Sequence, residues 1–220
     1  MNKNDDKLWD SYNNLLISDD INRIRKMIAR YELYKKTIRI PGDIVECGVF
    51  KGAGLLLWLK YLLITTSGSS KRVIGFDTFN HFSDNVLSYE EKAKKEYVEE
   101  SNFSGASIDE LLSIVSSMGD AEKVELVMGE FEDTSLNYKK NNPGFRISLL
   151  NLDFDTYSGT LAALNTFYEL VTPGGVIIFD EYGQRGWGES DAVDEFFKDK
   201  EENILTEYNF NSPSAYIIKK

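Results

Sequence analysis

Apolar residues recur along this chain in two patterns, as short continuous runs and as longer stretches at helical spacing. The continuous runs predict strands in "PGDIVECGVF", "KRVIGFDTF", "VELVMGEFED", "FRISLLNLDFD" and "GVIIFDEYG", with a closing pair in "ILTEYNFNSPSAYIIKK". Helical spacing predicts helices in the first forty residues, where Ile21, Ile24, Ile28 and Tyr31 repeat, and in "GAGLLLWLKYLLITT", "SIDELLSIVSSMG", "TLAALNTFYELVTPGG" and "SDAVDEFFKDK".

This alternation of strands and helices predicts an α/β fold, a doubly wound and mostly parallel seven-stranded sheet with helices on both faces. Residues 1–40 are interpreted as an N-terminal helical extension, and residues 41–220 as one domain. The long charged segment 80–105 exceeds a short connection. We interpret it as a partly helical lid over a site, and a solvated surface insertion is the alternative.

Composition narrows the possible partners of the chain. The 220 residues carry 25 basic and 36 acidic side chains, a formal charge of −11, which disfavours nucleic acid and anionic membranes. Cys47 is the single cysteine, so a disulfide framework and a cysteine zinc site are excluded. The polar N-terminus lacks the pattern of a signal peptide, and a cytoplasmic location is expected.

Carboxylates follow two of the predicted strands. Asp153 and Asp155 alternate with Phe154 and therefore share one face, and Asp180 with Glu181 ends the next strand. If these strands are neighbours, the four carboxylates converge, and their repulsion requires raised pKa values or a cation. Oxygen ligands without His or Cys favour Mg²⁺. The alternative is a set of helix caps and turns that does not converge.

A second set of candidate residues follows the first three strands. Glu46, Gly48 and Gly52 form E-x-G-x-x-x-G between a strand and a helix, where glycines allow close approach of a ligand. Asp77 ends the second strand, a position that suits a ribose, although an N-cap is equally plausible. Glu130 and Phe131 follow the third strand and could face a purine, or form a surface turn.

These spacings together resemble the class I S-adenosylmethionine-dependent methyltransferases from about residue 41 to residue 197. The resemblance implies a Rossmann-like fold in which Gly48 and Gly52 face the methionine part of the cofactor and Glu46 supports the loop. It further implies that Asp77 takes the ribose hydroxyls. Glu130 and Phe131 would then face the adenine.

Within that class, "PGDIVECGVFKGAG", "GFDTF", "LDFDTY" and "FDEYG" resemble the macrocin O-methyltransferase group of Mg²⁺-dependent sugar O-methyltransferases. The resemblance implies that Asp153, Asp180 and Glu181 hold the metal and that Asp155 is the general base. It implies a small-molecule sugar acceptor and a possible homo-oligomer. Glu181 stands where the group usually has Asp, and Ala53 where a glycine is common.

Other functions stay open from sequence. An O-methyltransferase for a non-sugar molecule such as a catechol would use similar carboxylates, and a cofactor-binding protein without catalysis would retain the glycine loop. A nicotinamide dehydrogenase is disfavoured because G-x-G-x-x-G is absent. His81, Arg185 and Trp187 are candidate substrate contacts, and for each of them ordinary packing or solvation is an alternative.

Overall fold

The computed structural model describes residues 3–66, 68–101, 107–207 and 212–220. The strands are β1 (Asp43–Cys47), β2 (Val73–Asp77), β3 (Val124–Met128), β4 (Ile147–Leu152), β5 (Val171–Phe179) and β6 (Ala215–Ile218). The helices are α1 (Lys3–Ile17), α2 (Asn22–Thr37), α3 (Ala53–Thr66), α4 (Glu91–Ser101), α5 (Ile108–Ser117), α6 (Phe131–Asn141), α7 (Tyr157–Phe167) and α8 (Glu189–Phe197).

The six described strands form one sheet in the order β3-β2-β1-β4-β5-β6. Every neighbouring pair is parallel except β5 and β6, which are antiparallel. The predicted doubly wound, mostly parallel fold is therefore confirmed, and β4 and β5 are neighbours as the convergence argument required. A seventh strand is not confirmed, because Leu205 forms only an isolated bridge with Tyr216, and residues 208–211 lie outside the described residues.

Apolar side chains cover both faces of the sheet, because successive residues of a strand point to opposite sides. Val45 contributes to a cluster with Phe131, Phe167 and other residues of α6, α7 and α8. Its neighbour Ile44 contributes to a second cluster with α2, α3 and α5, in which Trp58 is fully buried. The prediction of helices on both faces is thus confirmed.

The third strand occupies only the first half of the predicted run "VELVMGEFED", and Glu130 and Phe131 follow that strand, as predicted. Strand β3 ends at Met128, Gly129 turns the chain with φ of +133°, and α6 begins at Phe131. Acidic side chains at Glu132 and Asp133 lie in the first turn of α6, where the positive end of the helix dipole favours them. The turn at Gly129 and the acidic first turn of α6 therefore end the strand at Met128.

Helix α2 is confirmed, but its repeated isoleucines are not its buried face. Ile21 and Ile28 are 50% and 46% exposed. The buried residues of α2 are Ala29, Arg30, Leu33, Tyr34 and Thr37. Among the described residues, no helix has the length and apolar character needed to cross a membrane.

A buried arginine fixes α2 to the carboxyl ends of the sheet strands. Arg30 is 3% exposed, and its Nη2 atom donates to Asp153 Oδ2 at 2.9 Å and to Asp180 Oδ1 at 3.1 Å. Its Nη1 atom lies 3.6 Å from Glu46 Oε1, and the guanidinium lies 5.4 Å from the ring centre of Trp58. One cation thus joins the ends of β1, β4 and β5.

We predict that Arg30→Met destabilises the fold by about 3–5 kcal/mol, because it leaves three carboxylates without their shared buried cation. Urea unfolding at neutral pH would measure the change. Arg23→Met removes the same charge from an exposed position of the same helix. That control should stay within about 0.5 kcal/mol of the wild type, and equal stabilities of the two variants would contradict the structural role of Arg30.

Candidate active site

A cleft of about 710 Å³ opens at the carboxyl ends of the parallel strands, the location at which doubly wound sheets bind ligands. Helices α2 and α4 and the loops after β1, β2, β3, β4 and β5 all contribute to its walls. The sequence-predicted residues that line it are Glu46, Gly48, Asp77, Glu130, Phe131, Asp153, Asp155 and Glu181. Fully buried Asp180 lies behind Asp153, and Gly52 faces another helix.

The two predicted loop glycines serve different contacts. Gly48 has φ of +88°, and a Cβ there would lie 2.0 Å from the carbonyl oxygen of Asp153, so only glycine allows the ends of β1 and β4 to meet. Gly52 has φ of +83°, and a Cβ there would lie 2.3 Å from Leu111 Cδ2 of α5. Gly54 lines the cleft, and a Cβ on it would collide with Glu46 Oε1 at 2.0 Å.

The carboxylate of Asp77 closes two loops at the cleft. Its Oδ2 atom accepts from the backbone N–H groups of Val49 at 2.7 Å and Phe50 at 2.9 Å, and its Oδ1 atom accepts from Phe79 at 2.7 Å. Phe50 and Phe79 have φ of 50° and 60°, a backbone region that is costly for bulky residues. Asp77 therefore organises the glycine loop and also lines the cleft.

Glu130 lines the cleft after strand β3, the neighbour of β2, and contacts the segment that follows β2. It accepts from His81 Nε2 at 2.9 Å and from Ser83 Oγ at 3.2 Å. This pair ties the loop after β3 to the predicted lid segment. His81 and Glu130 are both about half exposed, so the contact is accessible to a ligand.

Phe131 is only 6% exposed. Its ring packs edge-on against those of Phe76, Phe154 and Phe167, at centroid distances of 5.6, 5.0 and 5.4 Å. The residue borders the cleft mainly as part of the core. Its capacity to stack on a purine is correspondingly small.

Three carboxylates converge beside the glycine loop. Asp153, Asp155 and Glu181 each offer an oxygen within 4.8 Å of the others. Asp155 has φ of 64°, an uncommon conformation for a residue with a side chain. The Oε2 atom of Glu181 is buried and makes no hydrogen bond to the described residues, so the cluster has an unused acceptor.

Asp180, by contrast, is paired with cations from helix α2. Lys26 Nζ donates to Asp180 Oδ2 at 2.6 Å and lies 3.9 Å from Asp153 Oδ2. The hydroxyl of Ser212 also donates to Asp180 Oδ2, and Arg30 donates to Oδ1. The ammonium group of Lys26 therefore lies between two of the three carboxylates that were predicted to hold a metal.

The pKa values of these carboxyl groups depend on which of them have a cation nearby. Burial opposes ionisation of Asp180, but the charges of Lys26 and Arg30 outweigh it and lower the pKa of Asp180 to about 2. Burial and the nearby charges of Asp180 and Asp153 raise the pKa of Glu181 to about 8. Burial and the charges of Asp153 and Glu181 also raise the pKa of Asp155 well above its usual range. The carboxylates nearest the cleft therefore favour binding a proton or a cation.

Two buried glutamates, neither predicted from the sequence, position the loops that carry these acids. Glu189 Oε1 accepts from the backbone N–H of Glu181 at 2.8 Å. Glu90 is fully buried, and its Oε1 atom accepts from the N–H groups of Tyr157 at 2.8 Å and Gly188 at 2.9 Å. Both glutamates stand in charged stretches that are typical of exposed helix ends, so the sequence carries no signal of their burial.

Lys26 and Arg30 were also missed, although their spacing carries a signal. Residues four apart lie on one face of a helix, and both stand in the segment that was predicted to be helical. The apolar repeat of the isoleucines directed the sequence interpretation to a different face. A search for the counter-charge of the predicted carboxylates among four-spaced basic residues could have found the pair.

The predicted lid segment forms one wall of the cleft, and α4 is the helix within it. Phe82 and Tyr97 line the cleft, and both pack against Trp187, at centroid distances of 5.9 and 6.2 Å. Trp187 thus supports this wall from behind, and Arg185 beside it is exposed. Residues 102–106, also part of the predicted lid, lie outside the described residues.

Solved structures share this architecture. The O-methyltransferase NovP superposes with a TM-score of 0.72 at 22% identity, covering 91% of this chain and 80% of its own. The calicheamicin methyltransferase CalS11 superposes with a TM-score of 0.75 at 23% identity, covering 94% and 83%. At these sequence identities, the structural similarity supports a shared fold and nothing more specific.

Two curated relatives match a shorter part of this chain by sequence. A tetracenomycin-C 4'-O-methyltransferase of Streptomyces olivaceus, whose full name specifies a dimethoxy-rhamnosyl compound, is 26% identical over 145 residues, covering 65% of this chain and 54% of the relative. The mycinamicin III 3''-O-methyltransferase of Micromonospora griseorubida is 28% identical over 149 residues, covering 65% and 56%. The chain thus spans about half the length of the curated relatives it matches.

The family comparison covers most of the chain. The model of the macrocin O-methyltransferase (TylF) family matches residues 17–208. This range includes the glycine loop after β1, the carboxylates that follow β4 and β5, and helix α2 with Lys26 and Arg30. The chain belongs to the macrocin O-methyltransferase (TylF) family.

Proposed function

We propose that this protein is an S-adenosylmethionine- and Mg²⁺-dependent O-methyltransferase that acts on a hydroxyl group of a sugar. The observation that carries the proposal is one cleft bordered on one side by the glycine loop with Asp77 and on another by converging carboxylates. Family membership supports the reaction class.

The cofactor end of the cleft fits S-adenosylmethionine, which when bound supplies a methyl group on a sulfonium sulfur. Gly48 and Gly54 line this end of the cleft, where the absence of a side chain lets a ligand approach the backbone. Glu46 Oε2 is buried and has no hydrogen-bond partner among the described residues, so it can accept from an ammonium group. Asp77 would hold the ribose hydroxyls, and Glu130 would face the adenine edge.

The acidic end fits a hard divalent cation. We assign Asp153, Asp180 and Glu181 as its ligands, because they offer only oxygen atoms and two of them already surround the ammonium group of Lys26. A bound Mg²⁺ would stabilise the deprotonated form of an acceptor hydroxyl. Exchange of Lys26 for the ion is a condition of this assignment.

Asp155 is assigned as the general base. It lines the cleft beside the other carboxylates. Burial and the charges of Asp153 and Glu181 raise its pKa, which makes it a stronger base than an exposed carboxylate. The hydroxyl oxygen forms a bond to the methyl carbon while the bond from that carbon to sulfur breaks. Asp155 takes the hydroxyl proton, and the products are a methyl ether and S-adenosylhomocysteine.

The sugar acceptor rests on the relatives and on the cleft wall. One curated relative is named as a 4'-O-methyltransferase of a rhamnosyl-tetracenomycin compound, and the other as a mycinamicin III 3''-O-methyltransferase. The structural relative CalS11 is also described as a TDP-rhamnose 3'-O-methyltransferase. Phe82 and Tyr97 line the acceptor side of the cleft, and aromatic faces pack well against sugar rings. No described feature of the cleft favours a catechol acceptor, so a catechol serves as the comparison substrate.

We predict that S-adenosylhomocysteine binds the purified protein in titration calorimetry, with and without Mg²⁺, because Asp77 holds the glycine loop through hydrogen bonds that involve no proposed metal ligand. A nucleotide-linked deoxysugar and a catechol, each tested with S-adenosylmethionine and Mg²⁺, would then separate the two acceptor classes. Absence of S-adenosylhomocysteine binding under both conditions would contradict the proposed function.

We predict that Asp155→Asn lowers methyl transfer at least about 100-fold, the usual contribution of a general base, and leaves the affinity for S-adenosylhomocysteine within about twofold. Asp109→Asn makes the same change at an exposed position of α5 and should keep wild-type turnover. If Asp155→Asn lost the cofactor, or turned over like the control, the assignment as base would be wrong.

A further inference from the structure

The ammonium group of Lys26 occupies the position of a cation in the acidic cluster. It lies 2.6 Å from Asp180 Oδ2 and 3.9 Å from Asp153 Oδ2. Both carboxylates stand at the ends of adjacent strands, and a positive charge between them relieves their repulsion. Asp153 and Asp180 are also proposed ligands of the divalent cation. Because Arg30 holds Asp180 Oδ1, the ion and Lys26 compete for Asp180 Oδ2.

Lys26 differs from Arg30 in how firmly it is held. Arg30 is 3% exposed and contacts three carboxylates across the sheet, whereas the Lys26 side chain is 30% exposed and reaches the cluster from the cleft wall. A lysine ammonium group is a single charge on a flexible stem, while a guanidinium group is fixed by several directed hydrogen bonds. Lys26 can therefore leave Asp180 while Arg30 continues to hold α2.

We propose that Lys26 is a built-in competitor for the divalent cation: it neutralises Asp180 when the site is free, and the ion must displace it to gain Asp180 as a ligand. This inference rests on the proposed function, since it concerns the same ion. It makes Lys26 a positioning residue that sets the affinity of the ion. It also couples ion binding to the cleft wall, because Arg23, Lys26 and Met27 of α2 line the cleft.

The test is direct binding of Mn²⁺, measured by electron paramagnetic resonance as the loss of the free-ion signal, on the full chain in the absence of acceptor. Lys26→Met should bind Mn²⁺ about tenfold more tightly than the wild type, a change of about 1.4 kcal/mol. Lys35→Met removes the same charge from the same helix, at a residue that pairs with Glu32. That control should bind Mn²⁺ like the wild type.

A second variant keeps the proposal testable if Lys26→Met does not fold. Lys26→Arg retains the positive charge and adds directed hydrogen bonds to Asp180, so it should fold and bind Mn²⁺ no more tightly than the wild type. Equal Mn²⁺ affinity of wild type and Lys26→Met, weaker binding by Lys26→Met, or tighter binding by Lys26→Arg would each overturn the competition.

The pattern of results separates this inference from the proposed function. If the wild type binds Mn²⁺ and Lys26→Met binds it equally well, the competition fails and the divalent-ion site stands. If neither the wild type nor any variant binds Mn²⁺ although S-adenosylhomocysteine binds, the divalent-ion part of the proposed function fails, and the competition fails with it.

Discussion

The structure depends on the neutralisation of carboxylates that meet at the carboxyl ends of β1, β4 and β5. Glu46, Asp153 and Asp180 are brought together by the parallel register of these strands, and burying them without positive charge would be prohibitively costly. Helix α2 supplies that charge through Arg30 and Lys26. The N-terminal region is therefore part of the site, since it provides the counter-charge on which the cluster relies.

The same arrangement joins the two halves of the cleft. Gly48, in the cofactor loop, lies directly against the backbone carbonyl of Asp153, in the acidic cluster. Asp77 holds that loop through two backbone N–H groups, and Glu90 holds the loops after β4 and β5 through two others. Cofactor contacts and acidic contacts thus share one rigid framework, which suits a reaction that depends on alignment of oxygen, carbon and sulfur.

The sequence predicted the strands and helices from their apolar patterns and the turns from glycine and proline. It did not predict the contacts between residues that lie far apart along the chain. The parallel strands follow from the apolar runs. The convergence of Asp153, Asp155 and Glu181 follows from the strand ends once β4 and β5 are neighbours, an adjacency that the sequence argument assumed and the structure shows. The pairing of Asp180 with Lys26 joins residues 154 positions apart, and the burial of Glu90 arises from a contact with Gly188, 98 positions away. The spacing of Lys26 and Arg30 indicates a basic face of helix α2, but local patterns do not identify the distant residues that such side chains contact.

The central claim is that one acidic cluster holds either Lys26 or a divalent ion at Asp180. Anomalous diffraction at the manganese edge, from crystals grown with Mn²⁺ and S-adenosylhomocysteine, tests it most directly. The account predicts one strong peak bonded to oxygen atoms of Asp153, Asp180 and Glu181, with the ammonium group of Lys26 withdrawn from Asp180. A peak that excludes Asp180 while the Lys26–Asp180 pair remains intact would contradict it.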